Sequence, residues 1–197
     1  MSLPLALARV DQIERALVPQ PVATSPAAAT AAVAAAPAAA PVASASFASL
    51  LGSAGGSPMT TIAAAELGQA EQPPGSNDSP RIAQYRTATA GGGVGPWCAY
   101  FASWVARQAG APLGDHGEGF GSVDALYAWA QRAGRAIPNG PGVVPRAGDL
   151  IVWDEHVGIV EQVLPDGRIQ TLEGNSSDRV SRNLHDFSDA LGFVRMS

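Results

Sequence analysis

The chemistry open to this chain turns first on Cys98, the single cysteine among 197 residues. It follows Gly95-Pro96-Trp97, and Trp97, Phe101, Trp104 and Val105 then recur at helical spacing until Gly110. Pro96 suits the first helical position, which places Cys98 in the first turn. There, unpaired amides and the positive end of the helix dipole favour a thiolate over a thiol. A free cysteine is also commonly a small buried hydrophobe, so on position alone both readings stand. A thiolate nucleophile needs a base within hydrogen-bond reach, and the base needs a third group to fix its tautomer. His156 opens an apolar, strand-like run, and Glu173 and Asn175 end the next one.

Whether these residues meet depends on register. If Asp166-Gly167 is a two-residue hairpin turn, Pro165 faces Arg168, Glu173 lies opposite Val160, and Asn175 lies opposite Gly158. Both then share the face of His156, and Gly158 leaves room beside it. A loop one residue longer or shorter reverses this parity.

The elements that must hold these groups are legible from caps and periodicity. Met59 to Leu67 reads as a helix ended by Gly68, and Ser79-Pro80-Arg81 starts a short helix through Tyr85. Ser122 caps a third helix, with Val123, Leu126, Tyr127, Trp129 and Ala130 on its apolar side and Gly134 at its end. Strands are expected over Leu150 to Trp153, His156 to Leu164, Arg168 to Glu173 and Leu191 to Met196. Helices first and antiparallel strands afterwards predict an α+β fold rather than a wound parallel sheet. Gly91-Gly92-Gly93-Val94-Gly95 has the wrong spacing for a dinucleotide fingerprint, and no strand precedes it.

Pro96-Trp97-Cys98-Ala99-Tyr100-Phe101, Gly148-Asp149-Leu150-Ile151-Val152-Trp153, His156-Val157-Gly158-Ile159-Val160-Glu161 and Glu173-Gly174-Asn175 together resemble a CHAP domain. Such domains are cysteine- and histidine-dependent amidohydrolases/peptidases of the papain-like superfamily. The stretch from Glu71 to Tyr85 also resembles the segment ahead of the nucleophile in many of them. The likeness covers about residues 58–197 and carries all four motifs in order. It implies a papain-like fold and cleavage of an amide bond in bacterial peptidoglycan, between muramic acid and the stem peptide or within the peptide. By position, Cys98 would be the nucleophile, His156 the general base and Glu173 the group that orients and charge-stabilises the imidazolium. Asn175 would orient His156 or contact substrate. The Cys98 amide would supply one oxyanion donor, and Tyr85 is a candidate for the second.

Composition excludes other chemistries. There are twelve arginines, no lysine and a net charge of −5, so there is no basic patch for nucleic acid and no phosphate-loop or Schiff-base lysine. One cysteine rules out an internal disulfide or a cysteine-rich zinc site. Some CHAP domains carry an acidic calcium loop before the nucleophile, but Arg86 to Trp97 contains no carboxylate. Asp115, His116 and Glu118 lack ligand spacing and read as a solvated loop. No metal or cofactor is expected. His185 with Asp186 reads as surface, Asp154 and Glu155 as an exposed turn, and Trp97, Trp104 and Trp129 as core.

The chain divides by composition. All aromatics but Phe47 lie between Tyr85 and Phe193, whereas residues 19–57 hold no charged residue, and 15 of the 26 residues from Ala23 to Ala48 are alanine. The expected organisation is an amphipathic docking helix within residues 1–18, a disordered Ala/Pro-rich linker over 19–57, and the catalytic domain over 58–197. The helix, or the cluster Phe47, Leu50 and Leu51, would dock a protein partner, and a frayed segment folding back on the domain is the alternative reading of residues 3–18. No signal peptide or membrane span is recognisable. Action on the cell envelope then needs another route. The arm resembles those of wall hydrolases associated with actinobacterial flagella, and release by phage lysis fits equally. Two other function classes fit the same motifs: a catalytically silent module that grips cell-wall peptide, and a papain-like effector or toxin acting on another amide.

Overall fold

The computed structural model describes residues 56–196. The expected docking helix and the linker up to residue 55 lie outside the described residues. Two helices start on the serine caps the sequence predicts, Ser79 and Ser122, and Ser57 adds a third cap. Ser57 precedes α1 (Pro58–Ala65), Ser79 precedes α2 (Pro80–Arg86), and each hydroxyl accepts a first-turn backbone N–H. Helix α3 (Cys98–Gln108) has Trp97 at its cap and no side-chain acceptor there. Ser122 caps α4 (Val123–Arg132) by accepting from the Ala125 amide.

Pro96 was expected at the first helical position, yet the helix opens on Cys98 itself. Trp97 keeps non-helical backbone angles (φ −120°, ψ 14°), and its indole is fully buried. The thiol is thereby carried to the extreme N-terminus of α3, where first-turn amides have no intrahelical partner.

Six antiparallel strands follow: β1 (Ala136–Pro138), β2 (Leu150–Val152), β3 (Val157–Val163), β4 (Ile169–Ser176), β5 (Arg179–His185) and β6 (Gly192–Val194). Their spatial order is β1-β6-β2-β3-β4-β5, and the fold is α+β, as the segregation of helices from strands predicts. One sheet face packs Leu150, Val152, Val157, Ile159, Leu172 and Val194 with Trp97, Phe101 and Val105. The other buries Ile151, Val160, Ile169 and Phe193, with Trp153 packed against them. Tyr85 ties α2 to α3, its ring centroid 5.8 Å from Trp97 and 5.2 Å from both Phe101 and Trp104. Rings at these separations add roughly 0.5–1.5 kcal/mol each beyond area burial.

Two strands are additions to the sequence reading. Three residues are too few for β1 to display a period. β5 is joined to β4 by Ser177-Asp178, both at positive φ (54° and 60°), with Ser176 facing Arg179. That is a tight two-residue turn without the Asn-Gly or Asp-Gly signature that would announce it.

The β3–β4 hairpin differs from expectation in an instructive way. Leu164 pairs with Arg168 through a 2.8 Å backbone hydrogen bond, so the loop is Pro165-Asp166-Gly167, three residues and not two. That alone would turn Glu173 to the other face. A bulge between Val160 and Gln162 adds a second one-residue shift, and beyond it Val160 pairs with Thr171 and Ile159 with Leu172. Continued, this register sets Glu173 opposite Gly158 rather than Val160. The two shifts cancel in parity, and Glu173 keeps the face expected of it. A Cβ on Gly158 would lie 2.9 Å from Glu173 Cγ, so the room that Gly158 leaves is occupied by that carboxylate side chain.

Gly174 has the matching role on the opposite face. A Cβ there would lie 2.5 Å from Phe101 Cβ and 2.9 Å from Trp97 Cζ3, both in the closely packed start of α3. We expect Gly174→Ala to cost about 3 kcal/mol, because a helix backbone and not a flexible tip must move. Urea denaturation reads this directly, and an unchanged midpoint would contradict the close approach.

Candidate active site

Cys98 is 4% exposed, and its Sγ–H faces the Glu155 carbonyl at 4.0 Å. The residue before it is anchored. Trp97 Nε1–H donates to Glu71 Oε1 at 2.9 Å, and Glu71 Oε2 accepts the Asn77 amide at 2.8 Å. The Glu71 amide in turn donates to the Asp178 carbonyl beyond β4. A buried carboxylate thus fastens the segment upstream of α2 to the indole that sets the helix start. A cleft of about 360 Å³ opens over the thiol, lined by Pro96, Gly121, Ser122, Val123 and the carboxylates Asp124, Asp154 and Glu155.

The imidazole arrives from the sheet. Trp153 to His156 forms a tight turn between β2 and β3, closed by a 2.9 Å bond from the Trp153 amide to the His156 carbonyl. Asp154 and Glu155 are exposed at its tip, as expected. His156 Nε2 lies 3.0 Å from Glu173 Oε2. Nε2–H as donor to the carboxylate leaves Nδ1 for the thiol. Burial disfavours the charged ring. The Cys98 sulfur and the Glu173 carboxylate outweigh it and push His156 up to about 9.

Glu173 is 2% exposed and saturated with donors. His156 Nε2 and Asn183 Nδ2 (2.8 Å) bond Oε2, while Thr171 Oγ1 and His185 Nε2 (2.6 Å) bond Oε1. Burial raises its pKa, but hydrogen bonds from His156 and Thr171, the His156 charge and the bond from His185 together hold it down to about 2. At neutral pH it is a fixed negative charge beneath the imidazole.

Of the four residues singled out by sequence, the fold brings Cys98, His156 and Glu173 into one chain of contacts. Asn175 stands apart. It has φ 58° in a bulge where Gly174 and Asn175 together face Val180, and its side chain makes no hydrogen bond to another described residue. Tyr85 is fully buried and donates its hydroxyl to Glu66 Oε2 at 2.6 Å, so it is not free to serve an oxyanion. His185, expected at the surface, instead contacts the buried carboxylate. Its strand was missed, and with it Asn183. Glu71 was missed as an anchor because no local signal links a carboxylate to an indole 26 residues away. Asp115 and His116 lie in an exposed loop, where Asp115 accepts from Trp129 Nε1 at 3.0 Å. Among the described residues no cluster of histidine, cysteine or carboxylate groups is arranged to hold a metal ion, and no helix is long and apolar enough to cross a membrane.

The site thus sets a thiol at a helix N-terminus, with an imidazole and a carboxylate carried by an antiparallel sheet. Curated proteins returned no match. Among solved structures, the peptidoglycan hydrolase RipB from Mycobacterium tuberculosis aligns over 76% of this chain and 78% of its own, at 17% identity and a TM-score of 0.43. The family model of the CHAP domain matches residues 89–175. That stretch, similar to a CHAP domain, holds Cys98, His156 and Glu173 together with the helix and strands that position them.

Proposed function

We propose that this protein is a peptidoglycan hydrolase that cleaves an amide bond with Cys98 as nucleophile, acting at the cell envelope. The observation that carries the reading is the His156 ring, set between the Cys98 thiol and the buried Glu173 carboxylate. The family supports the substrate class, because CHAP domains are amidohydrolases/peptidases of cell-wall peptide.

The chemistry follows from the geometry. Cys98 passes its thiol proton to Nδ1 of His156, its sulfur attacks the amide carbonyl carbon, and the carbonyl electrons move to oxygen. The Cys98 amide, at the uncapped start of α3, donates to that oxyanion. His156 delivers this Nδ1 proton to the leaving nitrogen as the C–N bond breaks, giving an acyl thioester and a free amine. Water then attacks the thioester while His156 takes its proton, and the carboxylate product departs as the C–S bond breaks. Glu173 holds the Nε2–H throughout and balances the imidazolium charge. Asn175, whose side chain has no hydrogen-bond partner among the described residues, is assigned to substrate contact.

The scissile bond lies either between muramic acid and the stem peptide or within the peptide. Mass spectrometry of a digest of defined sacculi distinguishes these. The first releases whole stems and leaves lactyl carboxylates on the glycan; the second shortens stems or opens cross-links. Sacculi left intact while protein amides are cut would instead support an effector acting elsewhere.

A further inference from the structure

β5 brings a second imidazole to the carboxylate beneath the site. His185 Nε2 lies 2.6 Å from Glu173 Oε1, while His156 Nε2 lies 3.0 Å from Oε2, so each oxygen carries one ring. Trp153 stands beside both, its ring centroid 5.7 Å from His156 and 4.7 Å from His185. His185 pairs with Ile169 in the β4–β5 ladder, so strand register rather than a loop places it.

We propose that His185 is a positioning residue for the reaction, its Nε2–H fixing the plane of the Glu173 carboxylate so that Oε2 meets His156 with Nδ1 turned to the thiol. This rests on the thiol-hydrolase reading above. The terminal torsion of a glutamate is broad and roughly two-fold, so something must choose its angle. Thr171 also bonds Oε1, but a hydroxyl rotates to follow its acceptor. The imidazole of His185 has fixed donor geometry and is packed against an indole, so it sets the angle. Charged and titratable groups around it are Glu173 and Arg168 from β4 and its approach, His156 from the β2–β3 turn, and Asp186 next in the chain. Arg168 is paired with Asp166 and also drawn toward Asp186. The Cys98 thiol couples to His156, so His185 acts through Glu173.

The test uses the full chain with His185→Phe, His185→Asn and His185→Gln. Glutamine carries an amide N–H at nearly the reach of imidazole Nε2, asparagine falls short, and phenylalanine has no donor. Two quantities are read: kcat and KM on soluble muropeptide, and the pH dependence of Cys98 alkylation by iodoacetate. That anion is drawn in only while the neighbouring imidazole is protonated. His185→Phe and His185→Asn are expected to lower kcat about tenfold with KM within about twofold. They should also bring the alkaline fall in alkylation about one pH unit lower, whereas His185→Gln should restore both. A folded His185→Asn variant with wild-type kcat and alkylation profile would overturn the proposal, as would a folded His185→Gln that rescues neither. His185→Asn carries the test if His185→Phe does not fold. Alkylation needs no turnover, so a chain that cuts no peptidoglycan would end the functional reading while leaving this one to be judged.

Discussion

Replacing Cys98 with alanine is expected to abolish release of muropeptide fragments while the fold stands. The sulfur is the only group that forms a bond to substrate in the proposed reaction, so no neighbour substitutes for it. Loss of a nucleophile that works as a unit with its base costs at least about 10⁴-fold in kcat. Structurally the change is small. Cys98 is 4% exposed at the base of the cleft, and its thiol's one hydrogen-bonding contact to a carbonyl is the long one to Glu155. Loss of that sulfur should cost about 1 kcal/mol. Fragment release by chromatography and circular dichroism on the same sample check both halves. Turnover above about 1% of wild type in a folded Cys98→Ala sample would defeat the mechanism. Slow, featureless alkylation of wild-type Cys98 without cleavage would favour a silent wall-binding module.

Glu173→Gln is expected to damage stability and catalysis together. The carboxylate accepts four donors, two on each oxygen. An amide can accept on one side only, and its NH₂ must face either His156 with Asn183 or Thr171 with His185. Two donors then confront a donor on a side chain only 2% exposed, a cost of roughly 3 kcal/mol. His156 also loses the charge that, with Cys98, lifts it to about 9. Its imidazolium is then lost at lower pH, and the alkaline limb of kcat/KM moves down from about 9. The linkage runs in two directions. Glu173, lowered from 4.5 to about 2, stabilises the fold above about 4.5, and this is lost as pH falls through about 2. His156, raised from 6.5, stabilises it below about 6.5, and this is lost as pH climbs through about 9. The gap in urea midpoint between wild type and variant should therefore be widest near pH 4.5–6.5 and narrow toward pH 9. A gap that widens steadily with alkalinity would contradict this assignment.

What the sequence showed about the fold depended on local chemistry. Ser79 and Ser122 announced helix starts because a capping hydroxyl acts within three residues. Cys98, His156 and Glu173 were legible because their types and their places at element ends are unusual. β5 was not, because its hairpin turns on Ser177-Asp178 and its exposed residues, Arg179, Arg182 and Leu184, show no clean alternation. With β5 went His185 and Asn183, half of the donors on Glu173. Glu71 and Glu66 were also hidden: each meets its aromatic partner across a gap of 19 to 26 residues. Only tertiary packing brings such pairs together.

The two compensating irregularities of the β3–β4 hairpin give chain length a hold on the chemistry. From Val160 to Thr171, the number of residues is as much a part of the proposed catalytic apparatus as the side chains assigned to it. One residue deleted from Pro165-Asp166-Gly167, or a straightened bulge at Glu161, would leave every functional group present and rotate the carboxylate out of the imidazole's reach. Insertions and deletions in this outlying turn should therefore be silent only in pairs. Drift in its length offers a route by which such an enzyme could become a mere binder without losing its cysteine.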